Sequence, residues 1–313
     1  MNPLLILVFV ASALFAWSMG SHYTGAVMGT AYGSGVLSLR KAQVLAASAA
    51  LVGSVVASIN VIDTYANGLV PHVSSVDIAS AQLAAAIVTT ISTSFKLPTS
   101  TIQIYTFSLL GAALVGGLPI HDAGFGFVIL FWVIGPLVAF GIGFILARLG
   151  LKIAGQGQRV LIWFVVVVSI YSSFTLGSND VSNAASSLVA LNLLPVRLAG
   201  LYGGFFMALG VLTWGRLLLE RIGHDILKLD VPLAAVSQLS QALSLTIING
   251  VGYNASINQT IVGGLTGSGF AVARNRLNWK VIRNIVLNWT VSPVLGLSCS
   301  ALLAVILHVL FSS

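Results

Sequence analysis

The sequence predicts an all-α polytopic membrane protein, with about ten crossings in two inverted repeats of five and broken or re-entrant helices at its polar motifs. Three observations predict it. Long apolar runs fill a chain of which only 7 % is charged. A set of landmarks recurs about 157 residues later. Four polar, glycine-rich segments interrupt the apolar pattern in corresponding pairs.

The apolar runs come first. Pro3–Met19, Ala42–Ile59, Gly124–Ala147, Val160–Leu176 and Ile285–Phe311 are almost free of charge, and each has the length a helix needs to cross about 30 Å of hydrocarbon. A soluble domain carries about a quarter charged residues. Here 57 % of the residues are hydrophobic and the mean hydropathy is +1.01, which excludes a soluble globular protein. Met1–Gly20 has no Lys or Arg before its apolar stretch, so it reads as a first span rather than a cleaved signal. Cys299 is the single cysteine and leaves no internal disulfide to form. The histidines (His22, His72, His121, His224, His308) are scattered without metal-ligand spacing, so neither a metal site nor a cofactor is expected.

A pI near 9.9 points at first to nucleic acid, but the basic residues sit in short loops between apolar runs, where they write membrane topology. With the N-terminus outside, the inner loops hold Arg40, Lys41, Lys96, Arg148, Lys152, Arg159, Arg216, Arg221, Lys228, Arg274, Arg276, Lys280 and Arg283. Only Arg197 falls outside, with Asp63, Asp77 and Asp122. The expected location is the cell membrane, with both termini outside.

The repeat comes next. Gly20-Ser21 returns as Gly177-Ser178, Arg40 as Arg197, and Trp132 with Pro136 as Trp289 with Pro293, all at an offset of 157; Ser100 and Gln103 return as Ser256 and Gln259 at 156. This divides the chain into residues 1–156 and 157–313. An odd number of spans per half makes the second half enter the membrane upside down, which explains why Arg197 is outside while Arg40 is inside. Inverted repeats are the usual plan of secondary transporters, with the site at the midplane.

The polar segments are Gly20–Ser38, Leu97–Thr106, Gly177–Ser187 and Gly250–Gly264. Irregular backbone at membrane depth is tolerated only where protein or a wet cavity satisfies it, so all four are expected as breaks near a site. Pro98-Thr99-Ser100-Thr101 reads as a helix start, with proline in the first turn and hydroxyls as caps; Asn254-Ala255-Ser256 reads the same way. Helix N-termini suit an oxyanion, and none of the four cores contains Lys or Arg. An anion would therefore be held by amides, hydroxyls and helix ends, with a cation bound beside it. Ser100, Thr101, Asn179 and Ser256 are the candidate substrate residues, against the bland reading that Ser and Thr bond neighbouring helices.

Asp180 is the most informative residue. A carboxylate at membrane depth costs about 2.5–3.5 kcal/mol on insertion scales. Asp180 and Asn183 lie one helical turn apart and offer hard oxygens to Na⁺, while a desolvated carboxyl can instead carry a proton. The alternative is a structural Asp capping a half-helix. His22 and Tyr23 take the first-half positions equivalent to Asn179 and Asp180; His22 is a candidate for proton coupling or a hydrogen-bonded structural histidine. Gly25, Gly29, Gly33 and Gly35 are read as sites of close backbone packing.

These residues resemble the inorganic phosphate transporter (PiT) family, whose halves each carry a G-A-N-D-x-A-N motif and a P-x-S-T-T-H motif. GSNDVSNA at Gly177–Ala184 is similar to the first, Leu97–Gln103 to the second, and Asn254–Gly263 is a weaker copy. MGTAYGSGVLSLRKA at Met28–Ala42 looks like the continuation after the first motif. The resemblance spans nearly the whole chain. It implies phosphate transport with Na⁺ or H⁺, Asp180 as a coupling-ion ligand beside Asn179 and Asn183, and a substrate site lined by Ser100, Thr101, Ser256 and Asn258. This chain departs from the pattern at His22, Tyr23 and Ala26 and places Gln103 and Gln259 at the motif histidines. One acidic cation site is thus missing, which favours a proton or a single cation. The degenerate first motif is also similar to the sulfate-permease branch. The expected function is a secondary transporter of phosphate, with sulfate as the alternative; a channel or an intramembrane enzyme ranks below both. A homodimer is common among such carriers, and the sequence shows no interface for one.

Overall fold

The computed structural model describes residues 2–68, 73–149, 157–220, 231–272 and 279–311. His72, Lys152, Arg221, His224, Lys228, Arg274 and Arg276 lie outside the described residues, as does the side chain of Lys280. Within them the chain is helical, with no strand. The first half forms α1 (Pro3–Gly33), α2 (Leu39–Val56), α3 (Ile59–Gly68), α4 (Ser75–Ser94), α5 (Thr101–Gly116) and α6 (Asp122–Arg148). The second forms α7 (Gln158–Ala190), α8 (Val196–Thr213), α9 (Val231–Gly250), α10 (Ile257–Val272) and α11 (Trp279–Phe311). Starts that differ by 155 to 157 pair α1 with α7, α2 with α8, α4 with α9, α5 with α10 and α6 with α11.

Eight of these helices are long and apolar enough to cross a membrane: α1, α2, α4, α6, α7, α8, α9 and residues Trp289–Phe311 of α11. The expected ten is reached only with α5 and α10. At 16 residues each they span about 24 Å, short of a full crossing. Each packs as a hairpin with the helix before it, α4 with α5 and α9 with α10.

The packing repeats with the sequence. α1 against α8 is matched by α7 against α2, α6 against α10 by α11 against α5, and α1 against α4 by α7 against α9. Glycines fix these approaches. A Cβ on Gly20 would lie 2.0 Å from the Met207 carbonyl oxygen, and one on Gly177 would lie 1.8 Å from that of Ala50. Subtracting 157 from 177 and 207 gives 20 and 50, so this is one contact made twice.

Equivalent helices run in opposite directions. Gln43 of α2 reaches the Val211 carbonyl of α8, while Ser54 packs under Gly204, so α2 ascends as α8 descends. In α1, Ser12 bonds the Ala184 carbonyl of α7; farther along α1 and earlier along α7, the Val27 carbonyl and Ser169 meet at Gln238. The halves are inverted.

Two of the four polar segments are not breaks. α1 runs without interruption through Gly20–Gly33, and α7 runs through Gly177–Ser187. Their Ser and Asn side chains bond carbonyls of their own helix or partners on neighbouring elements and leave the i→i−4 ladder intact. The breaks are residues 95–100 and 251–256 between the hairpin arms. Their left-handed positions also repeat: φ is +56° at Lys96 and +84° at Gly252. Gly35, expected as a packing glycine, instead takes φ +74° with open space around it and ends α1.

Candidate functional site

The two breaks meet in the protein interior. Asn258, in the first turn of α10, donates from Nδ2 to the Thr99 carbonyl at 2.6 Å, one residue before the N-cap of α5. The N-termini of α5 and α10 therefore adjoin, and each carries the partial positive charge of a helix start. Among the described residues no Lys or Arg is buried.

Each hairpin tip is gripped by the long helix of its own half. In the second half Asn179 makes two bonds to Ala255: its Oδ1 accepts from the Ala255 N–H (3.1 Å) and its Nδ2 donates to the Ala255 carbonyl (2.8 Å). In the first half the His22 ring takes the same position against Thr99. Nε2 lies 3.3 Å from the Thr99 nitrogen and 3.1 Å from its carbonyl. The Thr93 hydroxyl donates to Thr89, so Nδ1 is the nitrogen that donates to Thr93 (2.9 Å) and Nε2 accepts from Thr99 N–H. The partner of Thr93 at offset 156 is Asn249; with Nδ2 turned toward α7, it donates to Asn179 Oδ1 at 2.8 Å.

Asp180 lies in the middle of α7, fully buried, so it is no half-helix cap. Oδ2 accepts from Asn179 Nδ2 at 2.8 Å. Oδ1 is buried and has no partner among the described residues. The carboxyl faces Tyr23 and Thr101 of the other half. Tyr23, at its symmetry position, uses its hydroxyl oxygen to accept from the Thr101 N–H (3.0 Å) and Thr101 Oγ1 (3.1 Å). Tyr23 thus caps the first amide of α5, and Asp180 sits beside that cap.

The other expected residues gather here too. Ser100 and Ser256 are the N-caps of the two short helices and fully buried. Ser100 extends the chain into α5 without capping it, leaving Oγ unpartnered, and Pro98 stands in the break rather than in the first turn. Ser256 Oγ accepts from Gln259 N at 3.4 Å. Asn183 Oδ1 accepts from Asn254 Nδ2 (3.0 Å), so both asparagines of the second-half motif hold the second hairpin.

Three contributors were missed from sequence. Tyr65 of α3 donates to Asn254 Oδ1 and pins the second tip across the halves. Gln82 of α4 donates to the Asn183 carbonyl (3.0 Å), and Gln238 of α9 donates to the Val27 carbonyl. The two glutamines stand 156 apart, a signal the repeat already contained. No signal marks Tyr65.

Two oppositely oriented repeats, joined at paired helix breaks around a buried acid, define a membrane carrier of the inverted-repeat class. The phosphate transporter family model matches the chain twice, over residues 19–161 and 150–304, and the chain belongs to that family. A protein of Methanocaldococcus jannaschii named as a proposed phosphate permease is 29 % identical over 298 residues, covering 93 % of this chain and 94 % of that protein. The sulfate permease CysP of Bacillus subtilis is 30 % identical over 302 residues, covering 93 % and 85 %. The solved structure of a sodium-dependent phosphate transporter superposes with a TM-score of 0.88 at 23 % identity, covering 98 % of this chain and all of that one.

Proposed function

We propose that this protein is a secondary carrier of inorganic phosphate, driven by one co-transported cation and working by alternating access between the two repeats. One observation carries the reading: the N-termini of α5 and α10 meet at Thr99 and Asn258, beside an acid whose Oδ1 has no partner among the described residues. Helix ends and neutral donors suit an oxyanion that must also be released. Ser100, Thr101, Asn179, Ser256 and Asn258 form the substrate side. Asp180 with Asn183 forms the coupling side for H⁺ or Na⁺.

His22 enters this reading as a positioning residue, because its ring is used on Thr99 as Asn179 is used on Ala255. Tyr23 fills the place of a second acid, which favours a single cation. The setting is the cell membrane, with both termini outside and lipid around the outward faces of α6 and α11; a homodimer is compatible with it. The site serves binding rather than catalysis, and hydrolysis of an ester or peptide lost on Asp180→Asn would replace this reading with an enzyme.

Sulfate is the second reading, favoured by the match to the sulfate permease over almost the whole chain. Uptake of labelled phosphate and sulfate into proteoliposomes decides between them. Phosphate import competed only weakly by sulfate is expected; sulfate import indifferent to excess phosphate would sink the phosphate assignment.

A further inference from the structure

Gln103 and Gln259 occupy the same place in the two repeats, 156 residues apart, in the first turn of α5 and of α10. Each lies three residues after the buried N-cap serine, and side chains at those two positions share a face of the helix start. Gln103 is 8 % exposed and Gln259 5 %. In both, Oε1 is buried with no hydrogen-bond partner among the described residues. An unpaired buried acceptor is costly, and two at symmetric positions beside the meeting of two helix ends are a consistent feature of the fold.

Other buried atoms without a partner among the described residues narrow what completes them. Asp180 Oδ1 is another unpaired acceptor among the described residues, and Ser100 Oγ can donate or accept. Helix N-termini already supply N–H donors to the unprotonated oxygens of an anion. The glutamine oxygens therefore need a ligand that brings hydrogens of its own. Phosphate near neutral pH carries at least one P–OH; sulfate carries none.

We propose that Gln103 and Gln259 are the residues that discriminate phosphate from sulfate, by accepting hydrogen bonds from the P–OH groups of the bound anion. This rests on the reading of the site as an oxyanion carrier. Sulfate would place its lone pairs against both amide oxygens, or require each amide to turn and give up its orientation. A site that hydrogen-bonds a substrate hydroxyl rejects the analogue lacking it far more strongly than an apolar pocket rejects an added group.

The test uses the full-length protein in proteoliposomes and measures initial uptake of labelled phosphate and sulfate, with methylphosphonate as a competitor that keeps a P–OH. Gln103→Leu and Gln259→Leu remove the acceptor at near-constant volume; Gln103→Met and Gln259→Met do so with a more adaptable side chain, so a folding defect in one pair is checked against the other. The expected result is a preference for phosphate over sulfate that falls about tenfold per substitution, with methylphosphonate losing its advantage over sulfate as a competitor in parallel. Equal losses for phosphate and sulfate, or an unchanged ratio, would overturn the assignment to the glutamines. Wild-type vesicles that import neither anion would instead overturn the carrier reading, and wild-type vesicles that import sulfate alone would overturn the phosphate reading.

Discussion

His22 and Asn179 stand 157 residues apart and hold the same place: each accepts from the N–H of one residue in a hairpin break, Thr99 for His22 and Ala255 for Asn179, and Asn179 also donates to the Ala255 carbonyl while Asn258 serves that of Thr99. An imidazole thus stands in for an amide under the pseudo-two-fold relation. His22→Asn should therefore keep uptake and leave its pH profile unchanged. His22→Ala should orphan the buried Thr99 N–H, at a cost of about 1–3 kcal/mol, and lower the Tm in detergent. A pH profile displaced by the Asn substitution would return His22 to a coupling role.

Asp180→Asn should abolish coupled uptake and leave the protein folded. The amide can still accept from Asn179 Nδ2 through its oxygen, so the local geometry keeps its main bond. What disappears is the charge and the ability to hold a proton or a cation. Uptake should fall to the level of protein-free vesicles while the size-exclusion profile stays that of the parent. Undiminished transport would remove Asp180 from the mechanism.

The inverted packing makes a sharper structural prediction. Gly177→Ala would force a methyl group to within 1.8 Å of the Ala50 carbonyl oxygen, and Gly210→Ala would force one to within 1.9 Å of the Trp17 carbonyl oxygen. Neither backbone can move without separating helices that the repeat packs together, so each should cost at least about 1–3 kcal/mol and lower the Tm. Gly126→Ala, in α6 with nothing within 4 Å, should be neutral or slightly stabilising. Equal Tm values for all three would contradict the packing.

Much of this architecture was legible because symmetry leaves marks in sequence. The recurrence of Gly20 as Gly177 reports a contact made twice, and the recurrence of Ser100 and Gln103 as Ser256 and Gln259 reports two hairpins. The local form of the motifs was not legible. Asn179-Asp180 looked like a helix break because polar residues at membrane depth usually mark one, yet Ser and Asn side chains that bond carbonyls of their own helix or partners on neighbouring elements leave the backbone ladder intact. Pro98 looked like a first-turn proline, but the chain stays extended to Ser100 before α5 begins. The role of Tyr65 could not be read at all, since its partner Asn254 is distant in sequence and belongs to the other half.

The final prediction concerns the broken symmetry itself. Tyr23 is the counterpart of Asp180, and its hydroxyl is used on the Thr101 N–H, so the first half offers a neutral cap where the second offers a carboxylate. The double substitution His22→Asn and Tyr23→Asp writes the second-half pair into the first half. The new carboxylate is shorter than the tyrosine it replaces and stops short of the Thr101 N–H. It would also face Asp180, and two like charges in a buried site are stable only with an added cation or proton between them. Phosphate uptake should then depend more steeply on Na⁺, with the Hill coefficient rising above that of the parent, measured as initial rate against Na⁺ concentration at fixed pH. A cation dependence identical to the parent, in a variant that still transports, would show that Tyr23 does not limit the number of coupling ions.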